Sequence, residues 1–500
     1  MITLVTLWWL AFWTAVGLAV GSFLNAVIFR LPRGRSLRSP VWSACPHCRR
    51  RIQWFDNVPI LSFINLRGRC RHCGVPIATS YLVVEAAMAV IVLMLLDAFM
   101  IGAVREGLSR SPVGLTERLA LDWPILVAHV VLMACLFAMS AIDLEHYWVD
   151  IRFTNFVVVC GFILHVIWTP RHSAAWPRPS DATSAMSLLA CLGLGLAALL
   201  WMIHREPIDP DEPVVSEDPP PEPSTEPAGH PPRRPPPSLA SPSRAAGWVA
   251  VLLVVALLGA LGLTEANDVP LRHSGRALIP LMFLFGIVLL QSTISRESDV
   301  AIMEAIHQER HSARGMVLAE LVLLLPAVSL GILGLWLMLH GGPFSDRVSS
   351  AIHTEVNVGW LTMMRSWQPL HGLATAATGY AIAGALGWAI RIAFTLLFGK
   401  EAFGVGDIHL MAGAGCVAGW PVVALAFVLT CVISLVGWLA TLPFKRTRAL
   451  PLGPWLSLSI LVVVVFYDPM VRWPPISRAV EVAQWYGGRI SQPAGPEKRP

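Results

Sequence analysis

The chain has 500 residues, 55% of them hydrophobic and 14% charged, with a mean hydropathy of +0.61 and a formal net charge of +5. That much apolar surface does not fit inside one soluble core, which excludes an ordinary soluble enzyme and makes the lipid bilayer the expected solvent. The positive charge sits mostly in one loop beside an apolar run, where a membrane flank explains it, so no nucleic-acid partner is expected.

A bilayer core takes about 20 apolar residues per helix. Spans are expected near 3–29, 81–102, 124–142, 153–169, 185–203, 247–264, 278–295, 315–340, 372–398, 408–419, 421–443 and 453–469, with 408–419 short for a span. The first run lacks a charged n-region and a small-residue cleavage site, and is expected to be a retained helix. The loop after it, 30–80, holds ten arginines and one acidic residue, Asp56. Positive-inside places that loop in the cytoplasm and the N-terminus outside, and puts Lys445-Arg446-Thr447-Arg448 on the cytoplasmic side too.

Within the arginine-rich loop, Cys45-Pro46-His47-Cys48 and Cys70-Arg71-His72-Cys73 form two Cys-x-x-Cys pairs. Four thiolates at this spacing can converge tetrahedrally on one zinc ion, and a reducing cytoplasm disfavours paired disulfides. A metal would fold a small zinc-ribbon-like domain that so short a loop could not otherwise stabilise. His47 and His72 are expected as exposed neighbours rather than ligands. Cys135, Cys160, Cys191, Cys416 and Cys431 lie in apolar runs and act as small hydrophobes. The fold class expected is an all-α polytopic membrane protein of about twelve transmembrane helices with a small cytoplasmic zinc-ribbon-like loop domain.

Further along, Asp143 closes the apolar run Val131 to Ile142, with Glu145 and Asp150 close enough in sequence to take its role. The stretch 205–246 contains fourteen prolines and cannot build a core, so it reads as a disordered cytoplasmic linker. A polar loop covers 341–371. Gly404-Val405-Gly406-Asp407 then heads a small-residue run suited to close helix packing, its glycines letting the turn present a carboxylate without steric cost. Ionisable groups in spans tend to be functional. Asp143 and Asp407 both come out at the cytoplasmic face in this topology. Two carboxylates brought close share one proton, so one can activate water while the other protonates a scissile carbonyl. Glu85, Asp97, Glu304 and Glu320 lack a glycine setting and read as interfacial, packing or pore-facing residues.

Together these residues resemble the type IV prepilin peptidases, a bifunctional leader peptidase and N-methyltransferase family. The resemblance runs through Gly17 to Asn25, Arg30-Leu31-Pro32, both cysteine pairs, Trp54 to Ser62, Leu66 to Cys73, and Ile77 to Glu85. It resumes at Gly404 to Asp407, through Gly419-Trp420, and at Pro451-Leu452-Gly453-Pro454, covering roughly 1–165 and 372–469. It implies a bacterial inner-membrane aspartic peptidase of the glycine-x-glycine-aspartate type, with prepilins and pseudopilins as substrates. Such enzymes cut after a glycine at the cytoplasmic face and methylate the new N-terminus with S-adenosylmethionine. By position, Asp143 and Asp407 become the catalytic pair, and Cys45, Cys48, Cys70 and Cys73 the zinc-type knuckle.

The chain departs from that pattern at Val149-Asp150-Ile151, where the family has proline before aspartate or asparagine, at His409 in place of a lysine, and at Ser80-Tyr81-Leu82 in place of Arg-Tyr-Pro. It also places Asp407 264 positions after Asp143, a far wider separation than the family's. The organisation expected is an N-terminal peptidase region over 1–102 that includes the knuckle at 30–80, then a membrane core at 103–169 with the first aspartate. An insertion at 170–371 adds about four spans and the linker and bulges outward; a second core at 372–469 carries the glycine turn, and a tail covers 470–500. A different class of function, a non-catalytic membrane scaffold of a pilus or type II secretion system, would use the knuckle for docking. A transporter would be expected to show an inverted repeat, and none is visible.

Overall fold

The computed structural model describes residues 4–37, 42–102, 114–146, 149–171, 181–204, 280–288, 313–339, 367–399, 403–441 and 451–472, with scattered single positions at 108, 173, 175–177, 179, 277, 474 and 477–478. The chain is an all-α, multi-pass membrane protein. Its α-helices, among the described residues, are α1 (Leu4–Arg30), α2 (Leu61–Asn65), α3 (Ser80–Leu96), α4 (Leu115–His146), α5 (Ile151–Ile167), α6 (Asp181–His204), α7 (Ala313–Leu339), α8 (Gln368–Phe398), α9 (Val405–Ala418), α10 (Trp420–Thr441) and α11 (Gly453–Arg472). Six of these, α1, α3 with the π-turn that extends it to Ile101, α4, α8, α10 and α11, are long and apolar enough to cross a bilayer. Four shorter apolar stretches lie in α5, α6, α7 and α9. Ten of the twelve expected spans coincide with a helix. The expected span at 278–295 meets helical residues 280–288, while the expected span at 247–264, the linker 205–246 and the basic tract 445–448 lie outside the described residues.

Apolar residues at helical spacing face outward, which is the inverse of a soluble protein. Val159, Ile163 and Val166 do so on α5, Leu192, Leu196 and Leu199 on α6, and Val428, Val432, Leu435 and Leu439 on α10. Stripes of this size need lipid around them. Inside, packing rests on small residues, because no hydrophobic force separates helix from lipid and backbones must come close. A Cβ on Gly17 or Gly21 of α1 would stand 2.7 Å and 2.6 Å from the Cα atoms of Ala89 and Glu85 on α3. Gly379 of α8 abuts the Gly415 carbonyl of α9 in the same way. That contact lets the fourteen-residue α9 sit at the centre of the bundle, buried continuously from Leu410 to Ala418.

Two features differ from the sequence reading. Helix α4 starts at Leu115 and runs through Pro124, where the expected span only begins, because a helix is free to continue past the end of its apolar run. Described residues within 170–371, moreover, pack against the helices that follow rather than only outward. Helices α6 and α7 form a tight pair, with a Cβ on Gly193 only 2.6 Å from the Pro326 carbonyl oxygen, and this pair lies against α8. Residues 277, 281 and 284 are buried in the main core, and Phe285 meets Trp455 of α11 at 5.9 Å between ring centroids.

Candidate active site and metal centre

Three helix ends meet at one point. Asp143 lies in the last turn of α4, Asp407 in the first turn of α9, and Gly453 opens α11. A Cβ built on Gly453 would stand 2.7 Å from Asp143 Oδ2 and 3.7 Å from Asp407 Oδ1, so both carboxylates converge on the space that this glycine leaves empty. The Gly453 amide donates towards Asp143 and the Gly404 amide towards Asp407, each from the start of a helix, where unpaired N–H groups favour a carboxylate. The two aspartates share a cavity of about 270 Å³ with Val149, Gly404, Gly406, Pro451 and Leu452, and no cationic side chain lines it among the described residues.

Each glycine of Gly404-Val405-Gly406-Asp407 has a separate job. Gly404, in extended conformation before α9, leaves room beside Asp407, whose Oδ2 would lie 3.2 Å from a Cβ there. At Gly406 a Cβ would come within 2.6 Å of Val149 Cβ, so only glycine lets Val149 approach this turn. Neither needs positive φ; close approach is the requirement.

The two alternatives to Asp143 are placed elsewhere. Asp150 is the N-cap of α5: its carboxylate accepts from the Arg152 amide at 2.9 Å and pairs with the Arg152 guanidinium at 2.6 Å. Glu145 is exposed and lines a different, larger cavity. Gly453, by contrast, carries no chemistry of its own, and its only mark in the sequence is the Pro-Leu-Gly-Pro resemblance.

The four-cysteine loop is built from one knuckle used twice, a repeat that the sequence reading did not find. In each copy the first cysteine's carbonyl accepts from the amide four residues on (Arg49 or Gly74, both 2.9 Å), and a bridge pairs the residues before and six after that cysteine. Positive φ at the fourth residue closes both turns; glycine fills this place in the second copy and Arg49, at 57°, in the first. The Sγ atoms of Cys45, Cys48, Cys70 and Cys73 all lie within 4.8 Å of one another, close enough to hold one metal ion. Amides of Cys73 and His72 donate to the Cys70 thiol and bring it down to about 7. Cys73, although the Val75 amide pulls it down, is pushed up to about 11 by desolvation and by the three neighbouring sulfurs. Such a set ionises together only when a cation joins it, so the donors fit a soft divalent metal. His47 and His72 are exposed and outside the cluster.

The loop is tied to the helices by Glu85 of α3. Ile60 has φ 59°, ψ −52° and closes a γ-turn with Leu61 N–H donating to the Pro59 carbonyl at 2.6 Å, a strained geometry for a β-branched residue. Its own amide donates to Glu85 Oε2 at 2.7 Å. Replacing Glu85 with Ala should cost about 2 kcal/mol of loop docking and raise hydrogen exchange and protease cutting across 54–66, while the cysteine cluster keeps its capacity to bind a metal ion. Unchanged protection there would contradict this role.

Between this loop and α1, α3, α4 and α11 lies a cavity of about 1100 Å³ whose wall includes Cys45, Cys70, Glu145 and Pro454. The cysteine loop and the two aspartates therefore sit at the same end of the bundle.

Residues 15–99 match the family model described as the bacterial peptidase A24 N-terminal domain. Among curated proteins, the chain is 35% identical over 149 residues to a prepilin leader peptidase/N-methyltransferase of Myxococcus xanthus, covering 30% of this chain and 38% of that protein. It is 42% identical over 90 residues to one of Vibrio cholerae, covering 17% and 36%. It is also 33% identical over 190 residues to a type 4 prepilin-like proteins leader peptide-processing enzyme of Escherichia coli, covering 34% and 58%. The chain thus spans between about a third and three-fifths of the length of these relatives. No solved structure matches it significantly.

Proposed function

We propose that this chain, whose residues 15–99 match the bacterial peptidase A24 N-terminal domain model, is a membrane aspartic endopeptidase of the bacterial inner membrane. It removes the leaders of type IV prepilins or pseudopilins after a glycine at the cytoplasmic face, and methylates the new N-terminus with S-adenosylmethionine. The observation that carries this reading is the convergence of the Asp143 and Asp407 carboxylates on the gap at Gly453.

Two carboxylates brought this close hold one proton between them, and among the described residues no cationic side chain lines their cavity. The ionised carboxylate takes a proton from water as its oxygen attacks the scissile carbonyl; the protonated one gives its proton to the carbonyl oxygen. Collapse of the tetrahedral intermediate breaks the C–N bond, and the proton first taken from water goes to the leaving amine. The Gly453 and Gly404 amides hold the carboxylates in place throughout. The large cavity under the cysteine loop has room for the substrate segment and for the methyl donor, whose sulfonium supplies the transferred methyl group.

Zinc on Cys45, Cys48, Cys70 and Cys73 would hold the two knuckles together at the cavity rim, with a structural role. The arginine-rich loop lies on the cytoplasmic side by the positive-inside rule, with the N-terminus outside. The test is to incubate the purified protein with a model prepilin carrying a Gly-Phe junction ahead of an apolar helix, and to read the new N-terminus by mass spectrometry. Cleavage at that junction, with a mass increase of one methyl group when S-adenosylmethionine is added, is the expected result. A well-folded protein that cuts none of several such substrates would favour the scaffold instead.

A further inference from the structure

We propose that Glu320 of the inserted helix α7 and Arg391 of α8 are positioning residues for Asp407, which gives the insertion a part in the chemistry. This rests on the peptidase reading above.

Arg391 is 2% exposed within the helix bundle, where a lone guanidinium is costly and is kept only with partners. Its planar fork is divided between two of them. One edge meets Glu320: Nε lies 3.0 Å from Oε2 and Nη2 lies 2.7 Å from Oε1. On the other side, Nη1 donates to the backbone carbonyl of Phe403. Because the fork is rigid, the carboxylate that grips one edge fixes where Nη1 points. Glu320 therefore sets, through Arg391, the position of the Phe403 carbonyl.

That carbonyl is the last peptide oxygen before Gly404-Val405-Gly406-Asp407. Gly404 has no side chain to hold the strand entering α9, so the residue before it is the natural point of control. Phe403 is pinned twice, by Arg391 at its carbonyl and by Phe427 of α10 against its ring, with centroids 5.9 Å apart. Four residues later stands Asp407, which must meet Asp143 within the narrow space at Gly453. The α6–α7 pair lies against α8, and the Glu320–Arg391–Phe403 chain of contacts connects α7 to the residues that enter α9.

The test compares the full-length wild type with Glu320→Ala, Glu320→Gln and Asp407→Asn in the same detergent. A misplacement of about 1 Å lowers turnover on the order of 100-fold. Glu320→Ala should lose kcat on that scale with KM within about twofold, and Glu320→Gln, which keeps an acceptor of the same reach, should lose less. In parallel, Asp143→Cys/Asp407→Cys is cross-linked with a short bifunctional thiol reagent, with and without Glu320→Gln, and the 143–407 cross-link is identified by peptide mapping. A lower cross-linking yield in the Gln background is expected. Wild-type kcat in Glu320→Ala, a change confined to KM, or an unaltered cross-link would overturn the positioning role. Cleavage absent in wild type, or retained in Asp407→Asn, would overturn the peptidase reading instead, and the cross-link would still decide whether Glu320 places Asp407.

Discussion

If the chain is the aspartic peptidase proposed above, replacing Gly453 with Ala should abolish peptide cleavage while leaving the protein folded. The new methyl would stand 2.7 Å from Asp143 Oδ2 and 3.7 Å from Asp407 Oδ1. A carboxylate is the movable end of a short side chain, so Asp143 can swing away at little cost to stability. Gly453 has no positive φ to protect, and Ala suits a helix start. What is lost is the meeting of the two acids, which we expect to lower kcat on the order of 100-fold or more with substrate affinity and thermal unfolding nearly unchanged. Gly379→Ala makes the contrast. There the added Cβ meets the Gly415 backbone carbonyl, which cannot move without shifting α9, so overpacking of about 1–3 kcal/mol or more is expected and the protein should be harder to keep folded. Thermal unfolding in detergent alongside kcat separates the two variants; a Gly453→Ala enzyme that cuts at the wild-type rate would contradict the geometry of the pair.

The second large effect is expected at the metal centre. In the proposed zinc site each cysteine would supply one of four ligands, and a structural zinc site holds its ion with about 10–16 kcal/mol in all, so removing one ligand should cost roughly 3 kcal/mol, or more than 100-fold in affinity. Cys70→Ser should therefore take the bound zinc, measured by mass spectrometry of the native protein, from one per chain to nearly none. The two knuckles, whose Cys45 and Cys73 Sγ atoms lie 3.9 Å apart, would then lose the ion that holds their sulfurs together. Among the described residues, no cysteine lines the cavity that holds Asp143 and Asp407. Cleavage should consequently fail through a raised KM more than through kcat, because the large cavity loses its rim. Full zinc occupancy in Cys70→Ser, or a loss confined to kcat, would contradict this placement.

Much of the fold is legible in the chain because a bilayer imposes one length on every span, and apolar runs mark ten of the described helices directly. The Cys-x-x-Cys pairs were equally plain, since metal ligands need fixed local spacing. What sequence could not give is set by contacts between distant residues. Asp150 and Asp143 look alike in sequence; only the structure shows Asp150 engaged as the cap of α5 and Asp143 turned to Asp407. Glu320 looked like a packing or interfacial residue because its partner is 71 positions away on another helix. The knuckle repeat was hidden because Arg49 stands in the first copy where glycine stands in the second, both with positive φ. Nor does hydropathy distinguish an apolar stretch that faces lipid from one, like 280–288, that is drawn into the core beside Trp455.

The most direct test of the aspartyl pair is the cleavage rate of a Gly-Phe model prepilin by wild type, Asp143→Asn, Asp407→Asn and Asp150→Asn, each prepared in the same detergent. The account predicts that the first two substitutions each abolish cleavage without changing thermal unfolding, and that Asp150→Asn, which alters only a helix cap and its ion pair, still cuts. Cleavage retained in Asp143→Asn but lost in Asp150→Asn would contradict it and move the first carboxylate to the start of α5.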